Sequence, residues 1–120
     1  MSWIPRPTAP TAAPRAGLGT PLLLSPAGLA AFVLAQLSDL VTFLFMIELR
    51  GTGAEANPIV ATFLDLHHLG LLILAKIAAW AVALSCAALL SRRTPRLAEF
   101  VVGFGILVGL IGALSNLLAL

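Results

Sequence analysis

Residues Gly28–Leu49, GLAAFVLAQLSDLVTFLFMIEL, are apolar except for Gln36, Ser38, Asp39, Thr42 and the terminal Glu48. A helix crosses the hydrocarbon core of a bilayer in roughly 20 residues, and this run has that length. Ser25-Pro26 stands just before it. A serine oxygen accepts from the free N–H groups of a first turn, and proline there gives up no hydrogen bond. Arg50-Gly51-Thr52-Gly53 closes the run. Glycine releases a helix, and a cation near the last carbonyls complements the helix dipole. Two more runs of this kind follow, at about 69–90 (interrupted by Lys76) and 97–120. The expected fold is all-α, with three transmembrane helices at about 28–49, 69–90 and 97–120.

Composition leads to the same class. Of 120 residues, 60% are hydrophobic and 10% charged, whereas a soluble domain carries roughly half and a quarter. So few charges cannot cover the surface of a soluble fold this small, but lipid solvates an apolar exterior. The mean hydropathy of +1.06 agrees. The single cysteine, Cys86, excludes an intramolecular disulfide and a cysteine-based metal cage, and reads as a small packing residue. The net charge of +2 and pI near 9.5 could suggest nucleic acid as a partner. The basic residues instead sit at the ends of the apolar runs, where topology explains them. The expected partner is the lipid bilayer, with no nucleic acid.

Residues 1–25 have another character. Pro5, Pro7, Pro10, Pro14 and Pro21 alternate with Ala, Thr and Gly, and Arg6 and Arg15 are the only charges. Proline fixes φ and lacks the N–H, so an extended tail is expected, disordered and cytoplasmic. The prolines also separate the basic residues from the apolar run, unlike a secretory signal. The domain of interest is then 26–120. Between the first two spans, Asn57-Pro58 can cap and open a new helix. Ile59–His68 is too short to cross, so an interfacial or re-entrant helix is expected there.

Orientation follows from the positive-inside rule. Arg6 and Arg15 in the tail, and Arg92, Arg93 and Arg96 in the last loop, fall on one side of a three-span chain. The middle connection has only Arg50 among Glu48, Glu55 and Asp65. The expected location is the cytoplasmic (cell) membrane, with the N-terminus inside and the C-terminus outside.

Within the spans, Asp39 and Lys76 stand out, because a charge at a span centre costs about 2.5–3.5 kcal/mol to insert. Lys76 lies roughly 10 Å into the second span at 1.5 Å per residue. Thr42 lies about as deep in the first, and Asp39 one turn further. Gln36, Asp39, Thr42 or Phe43, and Met46 share one face, which is expected to look towards Lys76. As structure, this is an ion pair fixing helix packing. As function, it is a proton or ion relay or a polar solute site. Glu55 and Asn57, near the outer end of that face, either cap helices or extend a polar path to Asp39 and Lys76. His67, His68 and Asp65 contain metal-ligand types. Adjacent histidines on a helix diverge by about 100°, so interfacial histidines are the better reading. Neither a metal nor a cofactor is expected.

In the third span Gly105, Gly109, Gly112 and Asn116 fall on one stripe, and Gly105–Gly109 has GxxxG spacing. The second span has a small-residue stripe of its own in Ala75, Ala79, Ala83 and Ala87. The two stripes are expected to pack together within the chain, with a homo-oligomeric or partner interface as the other reading.

The order Asp39-Leu40-Val41-Thr42, then Gly51 and Gly53, then Glu55-Ala56-Asn57-Pro58, then Lys76 resembles a family of small uncharacterised prokaryotic membrane proteins classed as a domain of unknown function. Its pattern is Asp-x-x-Thr, Gly, Glu-x-Asn-Pro and Lys, matched here from about Gln36 to Lys76. The resemblance implies a multi-pass membrane protein and supplies no reaction. No serine–histidine arrangement, phosphate-binding loop or HExxH motif occurs in the sequence. The leading expectation is an accessory or interaction protein of the cytoplasmic membrane, more non-enzyme than enzyme. The alternative is proton, ion or small-solute transport through Asp39 and Lys76; an intramembrane enzyme comes third.

Overall fold

The computed structural model describes Met1 and residues 21–51, 53, 55, 57–65 and 68–120, with backbone alone at 63–65. Among these residues the only regular structure is helical. A 3-10 turn at Leu22–Leu24 precedes α1 (Pro26–Arg50), α2 (Pro58–Asp65), α3 (Leu69–Ser91) and α4 (Pro95–Leu118). Three of these helices, α1, α3 and α4, are long and apolar enough to cross a membrane. The short α2 lies between the first two.

The helix ends follow local chemistry. Ser25 caps α1 by accepting from the Gly28 N–H at 3.2 Å, with Pro26 at the first position. Gly51 stops it with φ of 75° and ψ of 179°, a backbone region essentially confined to glycine that costs other residues about 1–3 kcal/mol. The Gly51 N–H returns to the Ile47 carbonyl at 2.9 Å. Asn57 caps α2 through its side-chain oxygen, which accepts from the Ile59 N–H at 3.0 Å. A tight turn at residues 92–94 reverses the chain between α3 and α4, with the Arg93 and Thr94 N–H groups on the Leu90 carbonyl.

The central element is α4, which packs along α1 on one side and α3 on the other, while the backbones of α1 and α3 stay apart. Gly105, Gly109 and Gly112 face Phe32, Ala35 and Asp39 in that order, so α1 and α4 run parallel and α3 runs against both. This corrects the expected partner of the glycine stripe: it packs on α1, not on the alanines of α3. The reason is backbone proximity. A Cβ at Gly109 would stand 2.8 Å from the backbone carbon and oxygen of Ala35, so only glycine admits that approach. The alanine stripe is used at one end only. Ala87 is buried with Phe32, Ala98 and Val102, and Ala83 packs beside them, whereas Ala75 and Ala79 are exposed.

Two apolar clusters result. One joins Phe32, Ala87, Ala98 and Val102; the other, towards α2, joins Phe43, Met46 and Leu72 and takes in Ala119 and Leu120. Leu22–Leu24, counted with the tail by composition, packs on the first cluster through Leu23 and Leu24. The Leu23 N–H donates to Glu99 Oε1 at 3.3 Å. The outward faces of the long helices carry Leu34, Phe45, Leu74, Val82, Leu107 and Ile111, all exposed. Such an exterior fits a small membrane protein.

Candidate functional site

The middle of α1 meets both other long helices at Asp39. Lys76 of α3 donates from Nζ to Asp39 Oδ2 at 2.6 Å. Asn116 of α4 donates from Nδ2 to Asp39 Oδ1 at 3.1 Å, to the Asp39 backbone carbonyl at 3.1 Å, and to Thr42 Oγ1 at 3.2 Å. Three acceptors share two N–H bonds, so one of them is bifurcated. The Thr42 hydroxyl donates to the Ser38 carbonyl at 2.8 Å, which leaves its lone pair free to accept from Asn116. Both carboxylate oxygens of Asp39 therefore have a donor, one from each neighbouring helix. Gly112 lies directly against that carboxylate; a methyl group there would displace it.

Lys76 Nζ also lies 5.2 Å from the centre of the Phe43 ring, in cation–π range. The side chains of Lys76 and Asp39 are 24% and 15% exposed, so the pair is not sealed within protein. One turn earlier on α1, buried Gln36 donates from Nε2 to the Gly105 carbonyl at 2.6 Å. This second polar tie between α1 and α4 involves no charge. Among the described residues, no buried side-chain nitrogen or oxygen lacks a partner.

Two cavities meet at the ion pair. The larger, about 470 Å³, lies between α1 and α3 with α4 as its floor; Phe32, Gln36, Trp80, Phe100 and Phe104 line it, with Asp39 and Lys76 at its end. The smaller, about 240 Å³, lies on the other side of the pair; Glu55, Asn57, Gly112, Ser115 and Asn116 line it with Asp39 and Lys76. Glu55 also holds its own turn, its Oε1 accepting from the Asn57 N–H at 2.8 Å.

Thus Asp39, Thr42, Lys76 and Asn116 are bonded to one another, while Glu55 and Asn57 share a cavity with them and bond locally. Asn116 and Gly112, read from the sequence as packing residues, belong to the polar cluster itself. The eleven-residue spacing put Asn116 on the glycine stripe, but the identity of the facing helix was needed to give it Asp39 as a partner. Glu99 was missed, although a carboxylate one turn inside an apolar span is a signal. His68 is exposed just before α3, and His67 lies outside the described residues.

Residues 30–120 match the family described as Domain of unknown function (DUF5658). The chain belongs to this family. The matched DUF5658 segment contains every residue of the polar cluster and both cavities, and it leaves out residues 1–29. No curated protein and no solved structure matches the chain.

Proposed function

We propose that this DUF5658 chain is a multi-pass protein of the cytoplasmic membrane, α1, α3 and α4 spanning and α2 lying at or re-entering the outer surface. In this reading it acts as an accessory protein that works by binding another membrane protein. The observation that supports it most is the way the cluster ties three helices together. Lys76 and Asn116 take up both oxygens of Asp39, so the intramembrane polar groups join three helices into one unit. Mild-detergent purification after in-cell crosslinking, followed by mass spectrometry, tests the proposal. A stoichiometric membrane-protein partner is expected; recovery of the chain free of any partner would count against it.

One observation favours a second reading, proton or ion transfer. The ion pair separates an apolar cavity from a polar one that reaches Glu55, and membrane-embedded charges mark such paths. In this reading Asp39 and Lys76 exchange the proton, and Glu55 with Asn57 forms the outer vestibule. Reconstituted liposomes with an internal pH dye separate the two. Flux that disappears with Asp39→Asn supports transfer, whereas no flux above empty liposomes leaves the accessory role.

A further inference from the structure

The larger cavity has the make-up of a small-molecule site: concave, of a size within the roughly 300–1,000 Å³ typical of ligand pockets, and mostly apolar with a few polar groups converging at one place. Aromatic side chains form its body, Phe32 from α1, Trp80 from α3, and Phe100 and Phe104 from α4. The two α4 rings lie stacked, with centroids 6.0 Å apart. The cavity lies where the backbones of α1 and α3, each close to α4, stay apart from each other. With α1 and α3 spanning the membrane as proposed above, the opening between these two apolar helices faces the bilayer and gives lipid-dissolved solutes access.

Its polar end restricts the ligand further. Lys76 carries three N–H bonds, and one goes to Asp39 Oδ2. Each carboxylate oxygen of Asp39 already accepts one bond, from Lys76 and from Asn116. Gln36 spends an amide N–H on the Gly105 carbonyl. Donors remain at this end: the two further N–H groups of the Lys76 ammonium, whose charge Asp39 already balances, and the second amide N–H of Gln36. A head group that accepts a hydrogen bond without bringing net charge matches this end; an anion would leave the site with an uncompensated charge.

We propose that the α1–α3 cavity binds a neutral, membrane-dissolved molecule with a flat or chain-like apolar body and a carbonyl head, which accepts a hydrogen bond from Lys76. The site is independent of whether the chain also binds a protein partner. Trp80 reports on it directly. With Trp3→Phe, Trp80 is the sole tryptophan of the 120-residue chain, and quinones quench tryptophan on contact. The protein in nanodiscs is titrated with an alkylated naphthoquinone, and the matching alkylnaphthalene is used as competitor. Saturable quenching is expected, with the carbonyl compound binding at least fivefold tighter than the hydrocarbon. Ala79 lines the cavity from an exposed position, so Ala79→Phe fills it without displacing core atoms and should weaken the quinone at least tenfold. The double change Asp39→Asn with Lys76→Met removes the Lys76 donor and both charges together, and should bring the two compounds to within twofold. Quenching that rises linearly, unchanged by Ala79→Phe, would mean partition into lipid and would overturn the site. Equal affinity for quinone and hydrocarbon in the Trp3→Phe chain, or tighter binding of a carboxylate with the same alkyl body, would overturn the neutral carbonyl head.

Discussion

At Asp39 one carboxylate holds three helices, so its loss and that of its partners should differ in kind. Asp39→Asn leaves Lys76 charged without a counter-ion, and Lys76→Met leaves Asp39 charged. Breaking a buried pair from one side costs about 3–5 kcal/mol, reduced here because both side chains keep some exposure. Each single variant should unfold at a markedly lower temperature in detergent. The double change Asp39→Asn with Lys76→Met should recover most of that loss, since the introduced amide oxygen can still accept from Asn116. A double variant whose loss equals the sum of the singles would show that the two charges do not interact. Asn116→Leu should cost less, about 1 kcal/mol, because hydrogen bonds between membrane helices average about 0.6 kcal/mol where measured. Its loss leaves Asp39 paired to Lys76, so the thermal shift should be the smallest of the set. At this scale the sequence was informative: two charges inside apolar runs mark themselves by their insertion cost. Asn116 was legible as a polar group on a stripe, but its acceptors were not, because they lie on a helix 74 to 77 positions away.

Among the elements, the α1–α4 contact is the one most sensitive to volume. Gly109 faces the backbone of Ala35, which cannot turn aside as a side chain can. Gly109→Ala should therefore destabilise by about 1–3 kcal/mol, the usual range for overpacking, and Gly109→Leu by more. Thermal unfolding together with detergent-resolved oligomer size checks this. A Gly109→Leu chain that keeps its stability while its oligomer shrinks would contradict the packing seen here. Gly112→Ala pushes on the Asp39 carboxylate instead and should act on the ion pair. At the end of α1, Gly51→Ala must adopt a positive φ with open space around it. The penalty is then purely conformational, about 1–3 kcal/mol. The helices themselves were legible from the length of their apolar runs and from Ser25, Pro26, Gly51 and Pro58. Their neighbours were not, because glycine and alanine stripes are equally smooth and either can receive a helix.

For the whole molecule, the proposal makes a topological prediction. Thr8, Thr52 and Thr94 are replaced singly by cysteine in a Cys86→Ala background. An impermeant maleimide added to intact cells should label position 52 and spare positions 8 and 94. The opposite pattern would invert the proposed orientation. The parallel course of α1 and α4 against α3 holds in either orientation, so the experiment tests the membrane side and not the packing.

The sequence by itself determined the number of long helices, their approximate bounds, and the two charges that cannot be solvated by lipid. These depend on local quantities: apolar run length, capping residues and the insertion cost of a charge. Tertiary structure alone decided that α4 stands in the centre, that the glycine stripe meets α1, and that Asn116 completes the coordination of Asp39. It also decided that the space between α1 and α3 stays open on both sides of the ion pair. Which faces meet depends on the fit of whole helix surfaces, backbone to backbone at Gly109 and side chain to side chain at Lys76. A run of residues read in order holds the pieces of that fit but not their distances.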